Sequence, residues 1–142
     1  MLKLLPEHEK TIRAEGESAY PNECCGVLIG VIDNSGVKIV EYTEAISNAR
    51  EDDEQYHRFL ITPEDMMQAE RKARERKQDV IGFYHSHPDH RALPSDYDKD
   101  HALPFYSYVI VSVKKGSSEE LTSWELTADR KQFESEKIYK GE

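Results

Sequence analysis

The chain has 142 residues, 37% hydrophobic and 33% charged, with a formal net charge of −9. A chain of this length buries roughly 68–70% of its unfolded surface, so a single domain over 1–142 is expected to fold without a disulfide staple. The acidic balance argues against a nucleic-acid surface, which needs clustered Lys and Arg, and no run approaches the roughly 18 apolar residues of a membrane span.

MLKLLPEHEK at the start has too short an apolar stretch for a signal peptide. Residues 6–19 read as a helix with Ile12 and Ala19 among its few apolar positions, ended by Pro21 and Asn22. CCGVLIGVI at 24–32 reads as a buried strand, DNSG at 33–36 as a hairpin turn and VKIVEYTEAIS at 37–47 as the partner strand. Cys24 and Cys25 are the two cysteines, and neighbours on a strand point to opposite faces. They give no disulfide framework, which fits a reducing compartment, and a cytoplasmic protein is expected.

A charged loop is expected at 48–55 and a short strand at 58–61. Thr62 and Pro63 then start a helix to about Lys77, as N-cap and first helical residue. Met66, Met67, Ala69 and Ala73 are expected to face inward, the methionines as core filler. The one basic run, RKARERK at 71–77, alternates with acids and reads as a solvated helix face. DVIGFYH at 79–85 is expected as a central strand covered on both faces. A loop at 87–94, a short helix at 95–102, a strand at 106–113, a turn at 114–120 and a strand at 121–127 follow, with 133–139 adding an edge strand. The sum is a mixed α/β fold, one sheet with helices packed on it.

The chemistry concentrates in YHSHPDHRALPSDYDKDHA at 84–102. Ser95 and Asp98 fit S-x-x-[DE], a capping box that needs no function. It leaves His85 and His87 unexplained: two apart at a strand end, they point to the same face. Such a pair with a carboxylate nearby suits a metal. HSHPDH at 85–90 also fits H-x-H-x-D-H, which looks like the metallo-β-lactamase signature; that reading takes Asp89 and His90 as ligands of a two-metal hydrolase, and only His101 remains downstream to complete it.

A wider pattern runs His85-x-His87-Pro88, six residues, Ser95, two residues, Asp98. It is similar to the H-[ST]-H-P-x6-S-x2-D signature of the JAMM (MPN+) metalloprotease family in residue type and spacing. YPNECCGVLIG at 20–30 resembles the upstream segment of the same family, and SYVIVSV the strand that follows its site. The resemblance runs from about Pro21 to Trp124 and implies a cytidine-deaminase-like JAMM/MPN architecture: a single mixed β-sheet flanked by helices.

A hydrolytic zinc site needs three protein ligands and an open position for water. The resemblance assigns His85, His87 and Asp98 to one Zn²⁺, Glu23 to general-base work, and Ser95 to hydrogen-bonding the oxyanion. On the residues alone, Glu23 reads as an exposed acid in a turn after Pro21. Asp98 is expected to serve the metal at the expense of the cap. The resemblance further implies a peptidase or isopeptidase cutting after the C-terminal Gly-Gly of a ubiquitin-like or sulfur-carrier protein. The substrate tail would pair with a strand edge, for which 55–61 or the segment around Asn48 offers one. The compact chain looks like the small stand-alone prokaryotic type, without the insertions of deubiquitinating members. The alternative is a non-catalytic MPN-type scaffold.

Of the remaining candidates, His90 reads as a solvated loop residue, His101 as a surface or supporting residue one turn after Asp98, and His8 and His57 have no role. Asp96 and Asp100 are expected to be solvated and to favour the helix start. Cys25 reads as a small buried residue and not as a nucleophile. The zinc deaminases need H-x-E and P-C-x-x-C, and the chain has neither.

Overall fold

The structure, a computed structural model, describes residues 1–47 and 61–141. The loop expected at 48–55, His57, and the strand expected at 58–61 except its last residue lie outside the described residues.

Strands β1 (Leu2–Lys3), β2 (Cys25–Ile32), β3 (Lys38–Ile46), β4 (Asp79–Pro88), β5 (Ser107–Lys114), β6 (Ser117–Leu126), β7 (Phe133–Glu136) and β8 (Ile138–Tyr139) form one mixed sheet. The described helices are α1 (Pro6–Ala19), α2 (Pro63–Glu75) and α3 (Asp96–His101). None of them is long and apolar enough to cross a membrane. Strand order is β7-β6-β5-β4-β2-β3-β1-β8. The β4–β5, β1–β3 and β1–β8 pairs are parallel and the others antiparallel.

Side chains alternate across a strand, so each face collects its own core. Leu28, Val40, Ile81, Tyr84, Val109, Val111 and Val113 join Ile12 of α1 in one cluster. Val27, Ile29, Phe83 and Tyr108 join Ala69 and Ala73 of α2 in the other. β4 is buried almost throughout, as its unbroken apolar run requires.

Thr62 caps α2 through a capping box with Asp65. Met66, Ala69 and Ala73 make its inward stripe, whereas Met67 is 61% exposed, contrary to expectation. It sits one step round the helix from Met66, past the edge of that stripe.

Three boundaries differ from the sequence reading. β4 runs on to Pro88 because β5 pairs with it as far as His87↔Ser112 and Pro88↔Val113. The turn expected at 114–120 is Lys115-Gly116, both at positive φ (51° and 85°). β6 begins at once with Ser117, and its polar start reads as a loop because it is largely exposed. The segment 133–139 supplies two strands instead of one. β7 and β8 are separated by Lys137 alone, yet lie at opposite ends of the strand order. The sheet therefore curls until one segment bridges its two edges, and the amide of Leu2 donates to the Lys137 carbonyl at 2.9 Å. Closure of this kind hides the open hydrogen-bonding edges of a flat sheet.

Backbone contact is tight at Gly30, beside the register shift in the β2–β3 pair. A Cβ there would lie 1.8 Å from the Ile39 carbonyl oxygen. Gly30→Ala is expected to cost about 3 kcal/mol, the upper end for overpacking. Urea denaturation measures it, and an unchanged midpoint would contradict the β2–β3 register.

Candidate metal centre

β4 ends on the face shared with α2. Phe83, His85 and His87 alternate onto that face, while Tyr84 and Ser86 point to the α1 side. His85 and His87 are 1% and 8% exposed, and Asp98 is 9% exposed. Their donors converge. The two Nε2 atoms lie 3.1 Å apart, His85 Nε2 is 3.2 Å from Asp98 Oδ1, and His87 Nε2 is 3.2 Å from Asp98 Oδ2. Ligands about 2.05 Å from a tetrahedral zinc stand about 3.3 Å from one another. The donor set of two imidazoles and a carboxylate, at this spacing, fits such an ion. Among the described residues these three form the group able to hold a metal.

Their protonation states suit the same role. Burial lowers the pKa of His85, against the pull of the Asp98 carboxylate, so the ring is held neutral. Burial opposes charge on Asp98 too, but the facing imidazoles and the Ser95 backbone amide outweigh it and hold the carboxyl well below its ordinary range. Neutral imidazole and ionised carboxylate are the forms a metal requires. His87 Nδ1 lies 2.9 Å from the Arg91 carbonyl, a contact in which the ring nitrogen donates. That fixes the tautomer that leaves the Nε2 lone pair toward the group.

These shifts set the sign of a pH effect. Below about pH 6.5 the unfolded chain takes up a proton that buried His85 refuses, so stability falls with pH. Asp98 acts in the same direction below about pH 3.9. Without metal, the protein is expected to melt at a lower temperature at about pH 5.5 than at about pH 7.5. A melting point that rises on acidification would contradict a neutral His85.

The stretch between His87 and Asp98 is held down. Asp89 accepts from the Lys115 amide at 2.8 Å and from the Tyr20 hydroxyl at 2.7 Å. The Ala92 amide donates to Glu120 at 2.9 Å, and Thr122 donates to the Ala92 carbonyl at 2.6 Å. Sequence reasoning missed Glu120 and Thr122, because nothing local marks contacts with a strand that far downstream, and the Arg91 carbonyl, because a backbone acceptor leaves no mark in residue type. The two-metal reading is not met: both Asp89 oxygens have other partners and His90 is exposed.

Ser95 caps α3, its hydroxyl accepting from the Asp98 amide at 3.1 Å. Asp98 Oδ2 in turn accepts from the Ser95 amide at 2.9 Å. The expectation that Asp98 abandons the cap is corrected: its two oxygens offer about four lone-pair sites, enough for the cap and the imidazoles together. Ser95 is exposed. Its hydroxyl proton is not spent on the cap, where the oxygen accepts.

Glu23 is 7% exposed, which corrects the exposed-turn reading. Cys25 pairs with His85, and the Ser86 amide donates to the Cys24 carbonyl at 3.2 Å. Glu23 lies just before this paired stretch, two residues from Cys25. Burial pushes the Cys24 thiol up to about 11 and the Cys25 thiol up to about 12, against any thiolate role. His101 is exposed and stacks on Tyr97, ring centroids 4.0 Å apart.

A family model of prokaryotic homologues of the JAB domain matches residues 5–127. The desampylase of Haloferax volcanii is 33% identical over 93 residues, 65% of this chain and 63% of that protein. The chain thus spans less than two thirds of that relative's length. A Salinibacter ruber protein solved in solution is 39% identical, with TM-score 0.77, over 98% of this chain and 91% of its own. A JAB1/MPN domain protein from Archaeoglobus fulgidus, 21% identical over 98% of this chain and 95% of its own, shares the fold at TM-score 0.57.

Proposed function

The chain belongs to the prokaryotic homologues of the JAB domain, and from that membership we propose that it is a zinc-dependent peptidase or isopeptidase acting on a ubiquitin-like or sulfur-carrier protein. One observation carries the reading: two buried Nε2 atoms and a buried carboxylate converge within 4.8 Å at the end of β4. The kinship with a protein named desampylase supports the hydrolytic class.

His85, His87 and Asp98 would hold the ion. Zinc in such a site acts as a Lewis acid and lowers the pKa of its water from 15.7 toward about 7. Glu23 takes the proton of the attacking water and passes it to the leaving amine. Ser95, held by its cap, donates its hydroxyl proton to the oxyanion of the tetrahedral intermediate, a contact worth about 2.7–4 kcal/mol of barrier in other hydrolases. The bond cut follows a C-terminal Gly-Gly, whose lack of side chains lets an extended tail approach closely.

The test is to incubate the zinc-loaded protein with small ubiquitin-like carriers extended beyond Gly-Gly and weigh the products by mass spectrometry. Release of the extension is expected. Intact carriers, with zinc demonstrably bound, would refute the activity, and a protein that takes up no zinc would favour a scaffold.

A further inference from the structure

A cleft of about 270 Å³ opens beside His85 and Asp98. Ile61, Met66, Phe83, Tyr97, Leu103 and Tyr108 make most of its wall. An apolar cavity of about 150 Å³ already accepts benzene, while drug-sized ligands occupy about 300–1,000 Å³. The space suits one large aliphatic or aromatic side chain.

The wall is built before anything enters. The Leu103 amide donates to the Tyr108 hydroxyl at 2.8 Å, and the Phe83 and Tyr108 rings stack at 5.5 Å. Preformed pockets avoid ordering costs on binding. The mouth is open, since Leu103 is 50% exposed. Two residues on, Phe105 is 80% exposed at φ 78°, a left-handed conformation unfavourable for a bulky side chain. The α3–β5 connection thus keeps two large apolar residues in water against both the hydrophobic and the backbone cost.

We propose that this cleft is a specificity pocket for a bulky aliphatic or aromatic side chain on the leaving side of the scissile bond. The inference rests on the reading of the site as a peptidase cutting after Gly-Gly. Glycine brings no side chain, so the two residues on the acyl side of the scissile bond cannot fill the space beside His85 and Asp98. The first residue of the leaving half can fill it.

Two experiments test this. The zinc-loaded, ¹⁵N-labelled protein is titrated with N-acetyl-leucinamide, N-acetyl-phenylalaninamide and N-acetyl-alaninamide. Amide shifts at Met66, Tyr97 and Leu103 are expected with the first two at concentrations where the third gives none, and Leu103→Asp and Met66→Ala are each expected to weaken them. Absent shifts, or equal shifts with all three, overturn the pocket. In parallel, carrier fusions ending Gly-Gly-X are compared with X as Leu, Phe, Ala or Asp. Leu and Phe are expected to be cleaved at least about tenfold faster than Ala. Rates independent of X overturn the pocket and leave the peptidase reading intact. Failure to cleave any fusion while the leucine amide binds upholds the pocket and counts against the Gly-Gly substrate.

Discussion

Replacing Glu23 by Gln is expected to leave zinc in place and to slow hydrolysis by about 10²–10⁴-fold, the usual worth of a positioned general base. The substitution keeps size and shape, so the end of β2 and its register with β4 survive. What it removes is the lone pair that takes a proton from water in the proposed reaction. Glu23 is suited to the proposed role by its burial and by its place two residues before Cys25, which pairs with His85. Metal content by mass spectrometry and single-turnover cleavage of a carrier fusion separate the two effects. Full activity in the Gln variant would remove Glu23 from the chemistry, and loss of zinc with loss of activity would make it a ligand instead.

Removing the Asp98 carboxylate is expected to act on the metal. Loss of a group that only orients a ligand costs about 10–100-fold in affinity, and Asp98→Ala, which deletes a donor outright, is expected to cost more than about 100-fold by competition with a chelator. The same substitution removes the half of the capping box that accepts from the Ser95 amide and leaves the Ser95 hydroxyl bonded to the backbone of residue 98. Asp96→Ala, on the exposed side of the same turn, serves as the comparison and is expected to bind zinc normally. Unchanged affinity in Asp98→Ala would mean that the convergence of the three side chains is a hydrogen-bonded cluster and nothing more.

The convergent group was legible because its members lie close together in sequence and each sits where local rules point: His85 and His87 on one strand face, Asp98 one turn into a capped helix. α2 was legible from Thr62 and Pro63, whose backbone chemistry marks a helix start, and α1 from the stop at Pro21 and Asn22. Glu23 was not legible from its surroundings. Its burial follows from pairing between β2 and β4, about sixty residues apart, and only the resemblance to a known motif singled it out. The pinning of the loop by Glu120 and Thr122 and the split of 133–139 into two strands share that cause, each being decided by partners distant in the chain. The short turn at Lys115-Gly116 was missed for a local reason: Ser117 and Ser118, which pair with Lys114 and Val113, carry no strand signal of their own.

The bridging of the sheet's edges bears on the order in which the molecule assembles. Leu2 pairs with Ile138, so that contact spans nearly the whole chain, while His85 and Asp98 are only a short loop apart. Loop-closure entropy makes the long contact dearer by about 2 kcal/mol. The His85–Asp98 unit can therefore form while the ring still gapes, and the pairing of Leu2 with Ile138 fastens it later.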